Sequence, residues 1–367
     1  MAMSRHAIVD FACNLDLSVE RIMDFIGTNW LRPTILSDQH FYRWQFIDPI
    51  AGEGKDHCVI ALLGGEIVGF LGLNKRAFNA GGEVLKGAEL TTWIVKEECR
   101  GTGIAKAMLD LIKKNFDIAY GANITNDAVR AYIRMGFNFI REVPRLMRIY
   151  DFDKVAALGT IDTVISKVYK MPTARQEASQ SLLPIDFAEI DGIWPDRFDR
   201  SSGNLIWRYK NHPIYQYHAL LVGQDTTLIY RIEDVGSVRI MILTDILYTI
   251  LPTNSFVSTL DNFARDQEID FIDFFSSNGA LNAALTRAGF IPCLDLRDFI
   301  DLAYLYHPLE VKSSKSYSLI SYLHEDVRRG GLDINSLHIT KADCDLDRPN
   351  PTYLEKIGRA LHETADR

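Results

Sequence analysis

The order of segments in the first half of this 367-residue chain returns in the second, and that repetition limits the fold more than any single motif. In the first half, WQFIDP (Trp44 to Pro49) precedes a hairpin pattern, CVIALLGGEIVGFLGL, that turns at Gly64-Gly65. A strand-like run from Ile118 to Ile124 and the helical segment NDAVRAYIRMGFNFI follow later. In the second half, WRYKNHP (Trp207 to Pro213) precedes HALLVGQDTTLIYRI, which turns near Gly223. A helical run, the strand IDFIDFFSS and then NGALNAALTRAGFIP complete the order, with Gly289-Phe290 matching Gly136-Phe137. The expectation is two tandem copies of one α/β fold, mixed sheets flanked by helices, the second copy degenerate. The boundaries read as 1–152 for the first domain, 153–184 for a linker holding the polar PTARQEASQ, and 185–367 for the second domain with its tail. A mass of 41.6 kDa leaves room for a core in each.

Bulk properties exclude several classes. No apolar run approaches the roughly 18 residues that span a bilayer, and the N-terminus MAMSRHAIVDFACNLDL lacks the pattern of a secretory signal. The expectation is a cytoplasmic protein with no membrane partner. Cys13, Cys58, Cys99, Cys293 and Cys344 are scattered and lack CxxC or CxxH spacing, which argues against a disulfide framework and a metal site. A net charge of -8 without a long Lys/Arg run makes nucleic acid an unexpected partner. Asp343, Asp345 and Asp347 alternate as in a calcium loop, but no Gly stands at the sixth position and no Glu closes the set.

The chemistry-bearing stretch is VKEECRGTGIAKAMLDLIKKNF, Val95 to Phe116. Before it, AELTTWIV reads as a strand. After it, Ile104, Ala107, Met108, Leu111, Ile112 and Phe116 recur at helical spacing, so the helix starts at the glycines. A helix start presents unpaired amides and the positive end of the dipole, and glycines let a phosphate approach them. Neither GxxxxGK[ST] nor a dinucleotide GxGxxG fits, so the residues alone leave open which phosphate compound binds, or whether the loop is only a tight turn.

Arg100-Gly101-Thr102-Gly103-Ile104-Ala105 resembles the R/Q-x-x-G-x-G/A signature of the GNAT superfamily of acyl-coenzyme A dependent N-acyltransferases, in which this loop cradles the coenzyme A pyrophosphate. Val95 to Glu98 before it, and Tyr132 four residues ahead of Gly136-Phe137 after it, extend the likeness. The family's Asn at the strand-to-helix crossing has two candidates, Asn123 and Asn126, and neither is assigned. The second copy has RIMILTDILYTILPTNSFVSTL where the loop falls, with no glycine and a helix expected after Pro252-Thr253-Asn254, and Leu285 in place of Tyr132. The tail Asp347-Arg348-Pro349-Asn350 and the two Trp segments resemble tandem GNAT-like proteins of cell-surface polysaccharide pathways.

The resemblance implies acyl-CoA as co-substrate, no metal, and a nucleotide-linked amino sugar as the other small-molecule partner. The type it suggests is a dTDP-linked 3-amino-3,6-dideoxyhexose, with an acetyl or 3-hydroxybutanoyl group transferred. Glu89 falls where the family often places a carboxylate base, although a strand Glu facing solvent fits the residue pattern too. Tyr132 becomes the acid for the departing thiolate, and amides near Ile94 and Val95 become exposed donors if the fourth and fifth strands splay. Trp44, Trp207, Arg208, His212 and Tyr215 are the expected acceptor-binding set, although the two tryptophans also suit a core. A GNAT-fold aminoacyl or peptide-modifying transferase and a non-catalytic CoA-binding module are the other classes. The oligomeric state is not legible.

Overall fold

A computed structural model describes residues 7–30, 34–169, 180–190, 192, 194, 196–293, 299–302, 317–332 and 337–344. The tail call at 345–350 and most of the PTARQEASQ stretch lie outside them. In chain order the strands are β1 (Ile8–Phe11), β2 (Val59–Leu63), β3 (Glu66–Ala80), β4 (Glu83–Val95), β5 (Ile118–Ala122), β6 (Asn138–Val143), β7 (Arg145–Ile149), β8 (Gly159–Ile161) and β9 (Leu182–Pro184). They continue as β10 (Arg197–Phe198), β11 (His218–Val222), β12 (Thr226–Val235), β13 (Val238–Tyr248), β14 (Phe271–Phe275), β15 (Ile291–Pro292), β16 (Ile300–Leu302) and β17 (Tyr317–Leu323).

Two mixed sheets result, β1-β2-β3-β4-β5-β17-β6 with β10 at the far end of β3, and β15-β7-β14-β13-β12-β11-β9. Read from opposite ends, they have the same order, as the repeat in the sequence requires. One strand in each is borrowed. β17 enters the first sheet between β5 and β6, antiparallel to both, and β7 enters the second between β14 and β15 in the same way. Pro144, which has no amide hydrogen to continue a ladder, stands between β6 and β7 where the chain changes sheets. The sheets therefore do not divide at residues 152 and 185: 145–149 lies in the second and 317–323 in the first. Nor is 153–184 wholly a connector, since β8 pairs with β16 and β9 closes the second sheet.

Burial on both sides explains the long apolar strands. On one face of the first sheet, Leu73, Ala88 and Leu90 pack with Met108 and Ile112 of the Ile104–Asn115 helix and with Tyr132 of the Asn126–Arg134 helix. On the other face Phe70 and Ile94 meet Phe41, Trp44, Phe46 and Trp207. Trp44 and Trp207, equivalent in the two repeats, stack with ring centroids 5.7 Å apart. Each indole Nε1 donates to the other residue's carbonyl, at 2.9 and 2.8 Å. This reciprocal pair sits where the two copies face each other.

Between the sheets runs the segment 337–344, held by buried charges from both. Arg200 bridges Asp245 Oδ2 (2.5 Å) and Asp343 Oδ2 (2.7 Å), and Arg76 Nη1 donates to Asp343 Oδ1 at 3.0 Å. Lys341 meets Asp273 at 2.5 Å, and Arg145 meets the same carboxylate at 2.6 Å. Asp343 is thus the hub of an ionic clamp.

Candidate active site

The phosphate-loop residues form a bare turn. Gly101 and Gly103 have φ of 79° and 92°, a region that glycine enters without strain, and a Cβ on either would meet nothing within 4 Å. Thr102 Oγ1 donates to the Cys99 carbonyl at 2.6 Å, turning its side chain back into the loop. Ile104 anchors the helix in the core while Arg100, Gly101, Thr102 and Gly103 are exposed and Ala105 is half-buried. No side chain caps the helix start at Gly103, so its first amides face outward. A pyrophosphate fits such a cradle. Arg100 Nε donates to the Val95 carbonyl at 3.3 Å, tying the loop to the end of β4.

From the loop a gap leads inward. β4 pairs with β5 only where Gly87, Ala88 and Glu89 face Ile118, Ala119 and Tyr120, yet β4 continues to Val95. A β-bulge at Thr92, where the β3 register skips from Trp93 to Thr91, bends the strand away. The Lys96 amide donates to the Val68 carbonyl at 2.9 Å. By the alternation of an antiparallel ladder, Ile94 then turns its amide toward β3 and Val95 turns its own into the gap. Of the two amides expected to be donors, only that of Val95 is placed to serve.

Tyr132 and Glu89 approach from opposite faces of β4. Tyr132 lies on the helical face, its ring 5.0 Å from that of Trp93 and 5.0 Å from that of Phe137. Burial pushes its hydroxyl well above the ordinary value, so it stays protonated at neutral pH, as an acid must. Glu89 is 5% exposed on the other face, and so not a solvent-facing strand residue. Asn74, its cross-strand neighbour on β3, donates Nδ2 to Glu89 Oε2 at 2.8 Å. Glu89 also acts on Tyr120, whose hydroxyl is driven well above its usual value by burial first and by the Glu89 charge second.

Glu89 lines a narrow cleft between the two sheets whose enclosed space is about 10 Å³, room for a single water. Asn74, Arg76 and Gln45 share its wall with Phe41, Trp44 and Trp207. Arg208, Ala342 and Cys344 complete it. Trp44, Trp207 and Arg208, named from sequence, thus meet Glu89 here. Arg208 is 8% exposed, donates to the Ala342 and Cys344 carbonyls at 3.2 and 3.3 Å, and lies 5.4 Å from the centroid of a Trp44 ring. It holds the C-terminal segment against the cavity. His212 and Tyr215 are set back from the wall. The His212 ring packs edge-on to Trp44 at 4.4 Å, its Nδ1 accepts from the Tyr215 amide at 2.9 Å, and Tyr215 stacks on it at 5.2 Å. Sequence reasoning passed over Asn74, Arg76 and the 342–344 backbone. The signal available was Asn74-x-Arg76, two polar residues on one face of the strand directly after the apolar run Ile67 to Leu73.

The second sheet repeats the bulge, between Ile229 and Tyr230 of β12 opposite β13, and the limited pairing, with Ile240–Ile242 alone facing β14. Its gap is filled by the chain itself. Thr340 bridges to Ser276 just past β14, Ser277 donates its amide to the Ile339 carbonyl at 2.8 Å, and Thr340 Oγ1 reaches Asp245 of β13 at 3.2 Å. The following helix, Asn254–Asp266, starts after Thr253 with no glycine turn before it.

Residues 22–137 match the Acetyltransferase (GNAT) family. The chain carries a GNAT acetyltransferase domain. Acyl-coenzyme A dependent N-acyl transfer is the activity that this GNAT domain brings to the chain. Among solved structures, a GCN5-related N-acetyltransferase from Anabaena variabilis is similar in fold, with a TM-score of 0.52 at 13% identity over 88% of this chain and 74% of that one. More distant are a probable N-acyltransferase of unknown function from Enterococcus faecalis (TM-score 0.47, 13% identity, 87% and 73% covered) and Saccharomyces cerevisiae N-myristoyltransferase with bound myristoyl-CoA (TM-score 0.46, 8% identity, 88% and 83% covered). No curated protein matches the sequence significantly. Among the described residues of the GNAT domain and the rest of the chain, no helix is long and apolar enough to cross a membrane.

Proposed function

We propose that this chain acylates the primary amine of a nucleotide-linked amino sugar, of the dTDP-3-amino-3,6-dideoxyhexose type, from acetyl- or 3-hydroxybutanoyl-coenzyme A. Acyl-CoA lies along the gap between β4 and β5 with its pyrophosphate on residues 100–105, and the sugar sits at the mouth of the cleft between the sheets with its amine directed toward Glu89. The observation that carries this reading is the meeting of Glu89 with Trp44, Trp207 and Arg208 on that one cavity. The aromatic side chains give the wall beside Glu89 an apolar part, and the C-terminal resemblance supplies the nucleotide-sugar class.

In the reaction the amine nitrogen attacks the thioester carbonyl carbon. The C–N bond forms, the C–S bond breaks, Glu89 takes the proton that the amine loses, and Tyr132 gives one to the sulfur. The Val95 amide is the backbone donor nearest that event. Base and acid on opposite faces of β4 suit a path in which the amine arrives from one side and the thiol leaves on the other. Arg208 acts by seating residues 342–344 and Trp44 at the cavity; a direct diphosphate contact is not needed. The test is release of free thiol from acetyl-CoA with a panel of dTDP- and UDP-linked amino sugars, free amino sugars and a lysine peptide. Turnover of a nucleotide amino sugar at a kcat/KM at least tenfold above the rest is expected. Preference for the peptide, or no acylated sugar, contradicts the proposal.

A further inference from the structure

Glu89 is 5% exposed, and the cleft it lines encloses about 10 Å³, which admits one water and not a sugar ring. The same wall holds an atom that such a water satisfies. Asn74, 3% exposed, faces Glu89 across the β3–β4 ladder and gives Nδ2 to Glu89 Oε2 at 2.8 Å, while its Oδ1 finds no donor among the described residues. An ionised carboxylate accepts and cannot donate, so the amide has one orientation, with Nδ2 toward Glu89 and Oδ1 away from it. Buried polar atoms without a protein partner are satisfied by ordered water where there is room for it. One water can serve both groups. The O and N of an amide are about 2.3 Å apart, so Asn74 Oδ1 lies no more than about 5 Å from Glu89 Oε2. Two hydrogen bonds meeting at one water span up to roughly 5.6 Å.

We propose that Asn74 is a positioning residue for the base: its Nδ2 fixes the Glu89 carboxylate, and its Oδ1 holds the one water through which Glu89 takes the proton of the amine. This rests on Glu89 as the base for an amine at the mouth of the cleft, as proposed above. The water donates one O–H to Asn74 Oδ1 and the other to Glu89, which turns its lone pairs to the mouth. As the C–N bond forms, the nitrogen gives its proton to the water and the water gives another to the carboxylate. The water is returned unchanged. Without Asn74 it is free to turn an O–H toward the amine, where it accepts nothing. The other charged and titratable groups about Glu89 are Tyr120 of β5, which feels the Glu89 charge, and Arg76, Arg208 and Cys344 on the wall. Arg76 is paired with Asp343, and Arg208 is turned to the Ala342 and Cys344 carbonyls.

A crystal structure of the full chain tests the water with no acceptor needed. One ordered water should lie within about 3.2 Å of both Asn74 Oδ1 and a Glu89 carboxylate oxygen. No water there, or an Asn74 Oδ1 bonded to a protein donor, overturns the proposal. Kinetics test the role. Thiol release from acetyl-CoA is followed from about pH 5 to about pH 9 with whichever acceptor of the panel above, nucleotide amino sugar, free amino sugar or lysine peptide, is turned over fastest. Asn74→Leu should lower kcat roughly 10- to 100-fold with both KM values within about twofold of wild type. The acidic limb of its kcat profile should lie about one pH unit higher, because a carboxylate that loses a donor takes a proton more readily. Asn74→Asp, equal in size, keeps an acceptor for the water but puts a second carboxylate in place of the donor, and should move that limb further. A merely structural Asn74 would change stability or kcat and leave the limb in place, so an unmoved limb in both variants overturns the proposal. Failure here and failure of the nucleotide-sugar reading are separable. If the peptide is the fastest acceptor and both limbs move as stated, the nucleotide-sugar reading falls and this one stands. If a nucleotide amino sugar is acylated and neither limb moves, only this one falls.

Discussion

The gap between β4 and β5 and the gap between β13 and β14 are built alike, but residues 337–340 of the chain fill the second. Each follows three paired residues and a bulge in the longer strand. The first leads from a glycine turn, past Val95, to Tyr132 on one face and Glu89 on the other. The second begins without glycine, has Leu285 buried where Tyr132 stands, and holds residues 337–340 of its own chain. A splayed sheet is therefore a framework; a segment of the chain fills one gap, and the other is the one proposed to take acyl-CoA. The segment that closes the second gap continues as Ala342 to Cys344 into the wall of the cavity beside Glu89, so the second half shapes the site proposed for the acceptor.

The sharpest way to break this comparison is to remove what the first gap has and the second lacks. Tyr132→Phe and Glu89→Gln should each lower kcat roughly 10²- to 10⁴-fold with acyl-CoA affinity nearly unchanged, checked by steady-state kinetics beside calorimetry. Because burial raises the Tyr132 value above its ordinary 10.0, its proton stays in place through alkaline conditions. Wild-type kcat should hold from about pH 8 to about pH 10, where an ordinary tyrosine is half ionised. A loss of kcat across that range would deny Tyr132 the acid's role.

Next in size is the clamp that joins the two regions. Asp343→Ala leaves Arg76 and Arg200 buried without their shared carboxylate and should cost about 3–5 kcal/mol in denaturant unfolding. Burial alone would raise the Asp343 carboxyl, but the Arg200 and Arg76 charges outweigh it and hold it below its ordinary 3.8. A depressed carboxylate stabilises fully above its unfolded value, near pH 4, and that contribution is lost as pH falls through the folded value. Wild type should therefore lose stability below about pH 4 more steeply than Asp343→Ala does. Parallel curves would mean that the clamp contributes little.

The smallest effect tests the loop against its counterpart. Gly103→Val puts a branched side chain at a φ of 92° and over the phosphate cradle, and acyl-CoA affinity should fall roughly 10- to 100-fold. Thr253→Val at the equivalent helix start in the second half should change it less than about twofold. Similar losses in both would show that the two halves share the donor.

Much of this contrast was legible in the residues. Glycines before an amphipathic helix, Tyr132 ahead of Gly136-Phe137, and the absence of both features from the second half are local patterns with local causes. The repeat of Trp44 and Trp207 was visible too, although their mutual stacking was not. What escaped the sequence were pairings between distant segments. That β17 would complete the first sheet and β7 the second depends on which sheet each strand meets, and neither YSLISYL nor RLMRI carries a local mark of its sheet. Asp343 looked like part of an acidic alternation because its partners, Arg76 and Arg200, lie far away along the chain. Asn74 drew no notice since a polar residue in a strand has meaning only once its cross-strand neighbour is known to be Glu89.

The central claim is that one gap of the two takes acyl-coenzyme A. Titrating the full chain with acetyl-CoA by isothermal calorimetry tests it directly. The account predicts a single site per chain in wild type and in Thr253→Val, and weakened binding at that one site in Gly103→Val. Two sites per chain, or one site that Gly103→Val leaves untouched, would contradict it.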